Sequence, residues 1–407
     1  MKKKLIAALL ISACILVSCG ADEEVSSPIQ SMTPQPLDTA ETTETPAPAV
    51  NSGSGVVLQP GGEDHPITSR SVVDGQMQSY LTGEWKDADV AQRRAMAVMI
   101  PNNYLTSPSA GTVPQHGISQ ASIIYEAPVE GRITRLMAIF EDYDDLDKIG
   151  PVRSSRDYYV YEAMALDAIY CNWGLAVPYV SDLINSNRVD NVSVKLEGIN
   201  VGADEAFGRG LNSGYATEFT SSLNIEGYEK AVARLGYDTT YEEHGRLEKS
   251  FLFADEGYLA TYDSYPDATV IYPGGRESNK GGYAHMTGDS AIRFEYNEDD
   301  HLYYRYQYGA PHVDVDNNEQ LAVTNIIFKV CHGEVRDNHD YLAFGLHGTG
   351  TVYVFTNGKV IEGTWRHESD FSPNVLYDKS GNEIVLNQGK TWICNIWDEY
   401  EKYISYE

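Results

Sequence analysis

Short apolar runs that end at polar, Pro or Gly residues characterise the chain between residues 93 and 255. Each run has the length and composition of a buried strand. The predicted strands are residues 95–100, 122–126, 134–140 and 168–173. Apolar residues at helical spacing predict three helices, at residues 157–166, 177–185 and 225–235. Strands and helices mixed at this spacing are typical of α/β or α+β proteins.

Alternation of polar and apolar residues predicts a second, strand-rich region from about residue 264 to 397. The predicted strands are residues 292–296, 302–308, 351–361, 375–377, 383–386 and 391–397. Within 351–361, Asn357-Gly358 supplies the two positive-φ positions of a type I′ turn, so this segment is predicted to be a hairpin. We therefore predict a smaller, antiparallel, β-rich C-terminal domain whose sheet is curved or closed over one core.

The amino terminus has the pattern of a lipoprotein signal. Lys2, Lys3 and Lys4 precede an apolar run, residues 5–17, that is short for a membrane span. Small Ser18 then precedes Cys19, as in a bacterial lipobox. We predict that residues 1–18 are a signal peptide and that Cys19 carries diacylglycerol with acyl chains such as palmitate, which anchor a protein at a membrane surface.

Residues 20–81 are rich in Thr, Pro, Ser, Glu and Gly and contain few large apolar residues. Such a composition buries too little surface to offset the entropy of ordering, which predicts a disordered tether with a reach of roughly 40 Å. The predicted order is therefore signal peptide 1–18, lipidated Cys19 and tether 19–81, an N-terminal mixed domain 82–255 and a β-rich domain 264–397. The fold class is α+β.

Charge and cysteine content limit the classes of partner. The 407 residues carry a formal charge of -29, and loss of Lys2, Lys3 and Lys4 with the signal makes it -32. So acidic a surface disfavours nucleic acid as a partner. Cys171, Cys331 and Cys394 remain in the folded part. The sequence is compatible with either one disulfide between two of them or three buried free thiols. After the signal, the sequence contains no run suited to crossing a membrane.

Ionisable residues are concentrated in two short segments, 125–135 and 150–156. The candidate ligand-binding residues are Glu126, Glu130, Arg135, Arg153, Ser154 and Arg156. Guanidinium groups bind carboxylates or phosphates through two parallel hydrogen bonds, and paired carboxylates can act as acid and base. The residues predict that these groups lie close together at a face of the N-terminal sheet. A buried ion-pair network, a ligand site and a catalytic site remain as alternatives.

Other signatures of chemistry are weak. His312 and Asp314 can share one face of a strand, but further ligands at metal-binding spacing are missing, so we predict no metal site and no cofactor. Cys331 and His332 are adjacent and therefore point to opposite faces of a strand, which disfavours a catalytic pair. The 29 tyrosines suit contact with sugars or peptides, but the sequence favours the alternative that they form the amphipathic core and rim of a β-domain.

The combined motifs resemble the YerB-like lipoproteins of Gram-positive bacteria. The matching segments are 125–135, 150–156, 311–314, 325–327, 357–365 and 386–392. The resemblance implies an N-terminal mixed domain and a smaller β-rich C-terminal domain, and it implies no defined reaction. Arg132 stands where the family usually has glycine. Residues 208–214 keep an Arg and an Asn, but lack an expected histidine.

These observations predict a membrane-tethered, extracytoplasmic lipoprotein of the Gram-positive envelope, held at the outer face of the cytoplasmic membrane. Its function would be ligand binding or an accessory role, with peptidoglycan or wall-synthesis proteins as partners. An enzyme acting on a wall glycan or peptide is the alternative, with Glu126 or Glu130 as acid or base and Arg153 or Arg156 as anion clamp. A third hypothesis is that the protein is a purely structural partner of the wall-synthesis machinery.

Overall fold

The computed structural model describes residues 72–105, 111–131, 133–195, 200–245, 250–274, 283 and 291–407. The strands before residue 260 are β1 (Gln76–Gln78), β2 (Trp85–Asp87), β3 (Met96–Asn102), β4 (Tyr104–Leu105), β5 (Gly111–Thr112), β6 (Ile123–Val129), β7 (Ile133–Phe140), β8 (Lys148–Ile149), β9 (Ile169–Trp173), β10 (Asn191–Val194), β11 (Phe207–Arg209), β12 (Ser221–Asn224) and β13 (Leu252–Phe253). The α-helices are α1 (Ala88–Gln92), α2 (Asp157–Ala165), α3 (Val177–Asn185), α4 (Ala203–Ala206), α5 (Ile225–Leu235) and α6 (Tyr241–His244).

The remaining described elements are strands and short 3₁₀ turns. The strands are β14 (Val270–Tyr272), β15 (Arg293–Asn297), β16 (Leu302–Gln307), β17 (Ala310–Pro311), β18 (Ala322–Val323), β19 (Asn325–Cys331), β20 (Gly333–Val335), β21 (Leu342–Phe344), β22 (Gly348–Thr356), β23 (Lys359–His367), β24 (Val375–Asp378), β25 (Val385–Leu386), β26 (Thr391–Trp397) and β27 (Ser405–Tyr406). The 3₁₀ turns are Ile118–Gln120, Thr217–Phe219 and Asp398–Tyr403.

A ten-stranded mixed sheet forms the centre of the structure, in the order β10-β9-β3-β7-β6-β26-β19-β22-β23-β24. Its first five strands come from the N-terminal half of the chain and its last five from the C-terminal half. The two halves join where β6 pairs with β26 in parallel. A six-stranded sheet built from β14–β18 and β27 packs against one face of the central sheet. The other described strands form smaller sheets of two or three strands.

Side chains alternate between the two faces of the central sheet, and each face has its own core. One core contains Tyr125, Ala127 and Met137 of the sheet together with residues of α2 and α3. The other contains Ile124 and Leu136 together with residues of α5 and of the six-stranded sheet. Both cores draw on both halves of the chain.

The strongest local patterns are confirmed by the structure. Helices α2, α3 and α5 match the predicted helices, and Gly236 ends α5 in a left-handed conformation with φ 71°. β22 and β23 form the predicted hairpin, in which Thr356 pairs with Lys359 across Asn357 and Gly358. Both turn residues have positive φ, at 48° and 69°, as a type I′ turn requires.

Two details differ from the sequence prediction. The predicted tether extends to residue 81, but β1 forms at Gln76–Gln78 and Leu81 is fully buried, so this boundary was wrong. The C-terminal strands were predicted to be antiparallel, whereas β26 is parallel to both of its neighbours. Every residue of β26 is buried, and such central strands are typical of parallel pairing between two covered faces.

The division into domains 82–255 and 264–397 stays a sequence prediction. The central sheet contains strands from both of these ranges. Residues 1–71, including Ser18, Cys19 and most of the predicted tether, lie outside the described residues, as does Arg132. The three folded-region cysteines, Cys171, Cys331 and Cys394, are buried and free, so the predicted alternative of a disulfide among them is wrong. Among the described helices, none is long and apolar enough to span a membrane.

Candidate functional site

The segment 150–156 runs past the carboxyl end of β9 before α2 begins. Backbone hydrogen bonds fix its course: Arg153 N donates to Met99 O at 2.8 Å, and Trp173 N donates to Arg153 O at 3.1 Å. Ser155 N donates to Gly174 O at 2.8 Å. Ligands commonly bind beyond the carboxyl ends of parallel strands, and β3, β9 and β10 are parallel here.

Arg135 of β7 lies beneath this segment and is almost completely buried, with 4% of its surface exposed. Its Nη1 donates to Ser154 O at 2.7 Å, and its buried Nε has no hydrogen-bond partner. Among the described residues it forms no salt bridge with a carboxylate. Burial, followed by repulsion from Arg156 and Arg153, lowers the pKa of Arg135 to about 9. It is thus a buried cation without a counter-ion.

Arg156 and Glu130 form a two-pronged ion pair at the side of the segment. Arg156 Nε donates to Glu130 Oε1 at 2.9 Å, and Nη2 donates to Oε2 of the same carboxylate. Burial acts to lower the pKa of Arg156, but the hydrogen bonds and charge of Glu130 outweigh it and raise the pKa. This pair satisfies its own charges and leaves Glu130 unsuited to act as a free acid or base.

Arg153 lines an open cavity of about 390 Å³ together with Ser154, Trp173, Arg209 and Glu218. Its Nη2 lies 3.8 Å from Glu218 Oε2, a loose pair in which the carboxylate side chain is 51% exposed. The Nε of Arg153 is buried without a hydrogen-bond partner. Burial lowers the pKa of this guanidinium, and the neighbouring Arg156 and Arg209 act in the same direction.

Arg209 at the end of β11 closes the other side of the cavity. Its guanidinium carbon lies 4.1 Å from the centre of the Trp173 ring, and Nη1 donates to Thr217 O. We call the cavity lined by Arg153 and Arg209 the arginine cleft, and we count the buried Arg135 and the paired Arg156 as its neighbours outside the lining. Arg209 also borders the cavity, and Arg135 and Arg156 lie close enough outside it to repel the Arg153 guanidinium.

Glu126 does not belong to the arginine cleft. In the β6–β7 hairpin, Glu126 pairs with Leu136 and Ala127 pairs with Arg135. Paired residues point to the same face and neighbouring residues to opposite faces, so Glu126 and Arg135 lie on opposite sides of the sheet. The prediction that Glu126 and Arg135 lie together at one face is therefore wrong.

On its own side Glu126 is fully buried in a complete set of hydrogen bonds. Its Oε1 accepts from Thr134 Oγ1 at 2.6 Å and from Arg305 Nη2 at 2.9 Å, and its Oε2 accepts from Trp392 Nε1 at 3.0 Å. The Arg305 guanidinium in turn lies 4.3 Å from the centre of the Trp392 ring. This network joins the two halves of the chain and leaves Glu126 closed to a substrate.

His312 belongs to the same interior network. Arg305 Nε donates to His312 Nδ1 at 3.2 Å, so Nε2 carries the proton and faces Gln115 Oε1 at 2.7 Å. Burial, assisted by the charge of Arg305, holds the pKa of His312 well below its usual range. Asp314 instead accepts hydrogen bonds from Gly117 N and Ser119 N. The described residues contain no group of three or more His, Cys, Asp or Glu side chains arranged to hold a metal ion.

Sequence reasoning missed Trp173 and Arg209 as parts of the cleft. Trp173 was predicted only as a strand end, and Arg209 was noted only within the segment 208–214. Both arrive from distant parts of the chain, through β9 and through the β11–β12 pairing. The one available signal was an arginine flanked by glycines in an otherwise acidic chain.

Comparison with known proteins places this architecture in a family. Residues 81–229 match the N-terminal domain, and residues 283–393 the C-terminal domain, of a protein of unknown function (DUF3048). The chain belongs to this family. It is 26% identical over 318 residues to a Bacillus subtilis (strain 168) protein named "Putative lipoprotein YerB", covering 78% of this chain and 86% of the relative.

A solved structure gives the same result for the fold. The crystal structure of the YerB protein from Bacillus subtilis matches with a TM-score of 0.62 and 24% identity, covering 78% of this chain and 96% of that chain. At this identity the likeness concerns the fold alone. The resemblance inferred from the sequence motifs is confirmed.

Proposed function

We propose that the protein is a membrane-tethered, extracytoplasmic lipoprotein that binds an anionic group of a peptidoglycan fragment in the arginine cleft. The observation that carries the proposal is Arg153, which lines the cavity, has an Nε without a hydrogen-bond partner and lies near Arg135, a second buried guanidinium without a carboxylate. Buried polar groups are nearly always hydrogen-bonded, and buried charges are nearly always paired. The ligand's carboxylate or phosphate is the partner that Arg153 lacks.

The electrostatics of the cleft support this assignment. Glu130 neutralises Arg156, while Arg135 is buried without a carboxylate and Arg153 has only the distant Glu218. An anion in the cavity beside Arg153 offsets the repulsion that Arg135, Arg156 and Arg209 exert on this guanidinium, and it accepts charge-assisted hydrogen bonds from it. Muramic acid and the stem peptides of peptidoglycan both present carboxylates, which meet this requirement.

The location rests on the amino terminus. Lys2, Lys3 and Lys4, the apolar run after them and the Ser18-Cys19 step form a lipoprotein signal. The Bacillus subtilis relative is named as a lipoprotein, which supports the same placement for this chain. A lipid at Cys19 would hold the protein at the outer face of the cytoplasmic membrane, beside the wall.

Calorimetric titration of the mature, detergent-solubilised chain with soluble muropeptides tests the proposal. We expect Arg153→Ala to weaken binding roughly 10- to 100-fold, since a charged hydrogen bond contributes about 1.5–3 kcal/mol. Arg93→Ala is the matched control, because Arg93 pairs with Asp144 before the amino end of β3, away from the cleft. Equal affinity in wild type, Arg153→Ala and Arg93→Ala would overturn the proposal.

A further inference from the structure

We infer that the arginine cleft contains a saccharide subsite centred on Trp173, so that the bound anion is carried on a sugar ring. The inference rests on the proposed function and names the class of its ligand: a carboxylated pyranose. It is carried by the aromatic ring, the planar polar side chains and the hydroxyl groups that line the same cavity as Arg153.

Trp173 supplies an aromatic surface at the wall of the cavity. Its ring stands nearly perpendicular to Phe207, at 74° with 5.8 Å between ring centres, which fixes its orientation. The Arg209 guanidinium covers one face of the ring at 4.1 Å, and the ring is only partly buried, so the surface offered to a sugar is the part that remains open to the cavity. Aromatic side chains provide a flat apolar area with little loss of conformational entropy on binding, and the C–H face of a pyranose packs on such a surface.

The rim of the cavity suits hydroxyl groups. Ser154, Thr217, Glu218 and Arg209 line it, and together they offer donors and acceptors of hydrogen bonds. The Arg209 guanidinium presents several N–H groups in one plane, which match two neighbouring sugar hydroxyls. A cavity of about 390 Å³ lies within the size range of small-molecule sites.

The placement of charge selects an acidic sugar over a neutral one. Arg153 lies in the same cavity as Trp173, and its backbone O accepts the Trp173 amide hydrogen bond. Both residues line the one cavity, so a sugar held against Trp173 can direct a carboxylate substituent toward Arg153. A neutral sugar leaves the unpartnered Nε of Arg153 without its anion.

Titration with three probes tests the inference: N-acetylmuramic acid, its neutral counterpart N-acetylglucosamine, and lactate. We expect wild type to bind N-acetylmuramic acid most tightly. Trp173→Ala should weaken this binding by roughly three- to tenfold, the range of an aromatic contact, and leave lactate binding unchanged. Trp173→Phe should retain most of the affinity because it keeps an aromatic ring. Trp85→Ala in β2 is the matched control.

The outcomes separate the two proposals. If Arg153→Ala weakens binding of N-acetylmuramic acid while Trp173→Ala does not, or if lactate binds as well as the acidic sugar, the saccharide subsite is wrong and the anion site stands. If no anionic probe, muropeptides included, distinguishes wild type from Arg153→Ala, the proposed function itself is wrong.

Discussion

At the scale of single residues, the two arginine-containing sites differ in how completely their charges are satisfied. Arg305 forms an ion pair with Glu126 at 2.9 Å, in a site where both side chains are essentially without solvent exposure. At the cleft, Arg135 has no such partner and Arg153 only a distant one. Arg305 Nη1 is also buried without a hydrogen-bond partner, so the contrast rests on the counter-ion. It supports a structural role for the first site and our proposal of a ligand site for the second.

Removal of Glu126 tests the structural role. Glu126→Gln leaves the Arg305 charge buried and uncompensated, so we expect the free energy of unfolding to fall by roughly 3–5 kcal/mol. Urea unfolding measures it. Glu205→Gln, in the exposed pair with Arg234, is the matched control and should cost less than about 1 kcal/mol. Equal losses in the two variants would contradict the assignment.

Loss of Arg153 should behave differently from loss of Glu126. Its side chain borders the open cavity and forms only a loose pair with Glu218, so we expect Arg153→Ala to change the free energy of unfolding by no more than about 1 kcal/mol. The same urea series measures it. A loss of roughly 3 kcal/mol or more would show that Arg153 belongs to a buried structural network.

His312 predicts a pH dependence of stability. Its pKa in the folded protein lies well below that of the unfolded chain, mainly because of burial. The unfolded state therefore gains a proton first as the pH falls, and stability decreases below a pH of about 6.5, by up to about 1.4 kcal/mol per pH unit from this group. His312→Gln should reduce this slope in unfolding experiments at pH 7 and pH 5.5. An unchanged slope would contradict the neutral, buried state.

At the scale of elements, local patterns predicted structure wherever a single segment determines it. The helix α5 with Gly236, and the β22–β23 hairpin with Asn357 and Gly358, were readable because turn and cap residues stand beside the periodic runs. The parallel pairing of β26 with β6 joins residues more than 260 positions apart, and no local signal encodes it. The partners of Glu126 and Arg135 depended on the hairpin register, which the segment 125–135 alone did not determine.

Gly358 tests the predicted turn. Substitution by Ala places a Cβ 2.8 Å from Tyr296 Cε1 and forces a side chain to adopt φ 69°. Gly381→Ala has the same kind of φ, 83°, with nothing within 4 Å, and so isolates the backbone cost of about 1–2 kcal/mol. We expect Gly358→Ala to lower the free energy of unfolding by more than Gly381→Ala. Equal losses would show that the contact with Tyr296 is unimportant.

At the scale of the whole molecule, one sheet spans both family-matched regions, and the arginine cleft lies on its N-terminal part. The sequence motifs predicted the family and the approach of Arg153 and Arg156, which are close in sequence. They did not predict Trp173 or Arg209, because those residues reach the cleft only through the packing of β9 and β11. Long-range packing therefore decides which side chains line the proposed site.

The proposed attachment to the membrane depends on Cys19. We expect Cys19→Ala to release the protein from the membrane fraction, because the proposed lipid at Cys19 would supply most of the membrane-binding energy. Labelling of cells with an alkyne fatty acid, followed by fractionation, measures both lipid and location. Retention of the label by Cys19→Ala would contradict lipidation at this residue.

The most direct test of the central claim observes the unpartnered Nε–H groups themselves. In ¹H–¹⁵N spectra of arginine side chains, Arg135→Lys and Arg153→Lys assign the two signals. On addition of a soluble acidic muropeptide we predict that the Arg153 signal shifts downfield as this guanidinium binds the anion. The Arg135 signal should change with the same saturation curve, because the added charge lies near it. The signal of Arg93 should stay in place. Unchanged signals from Arg135 and Arg153 at saturating muropeptide would contradict the account.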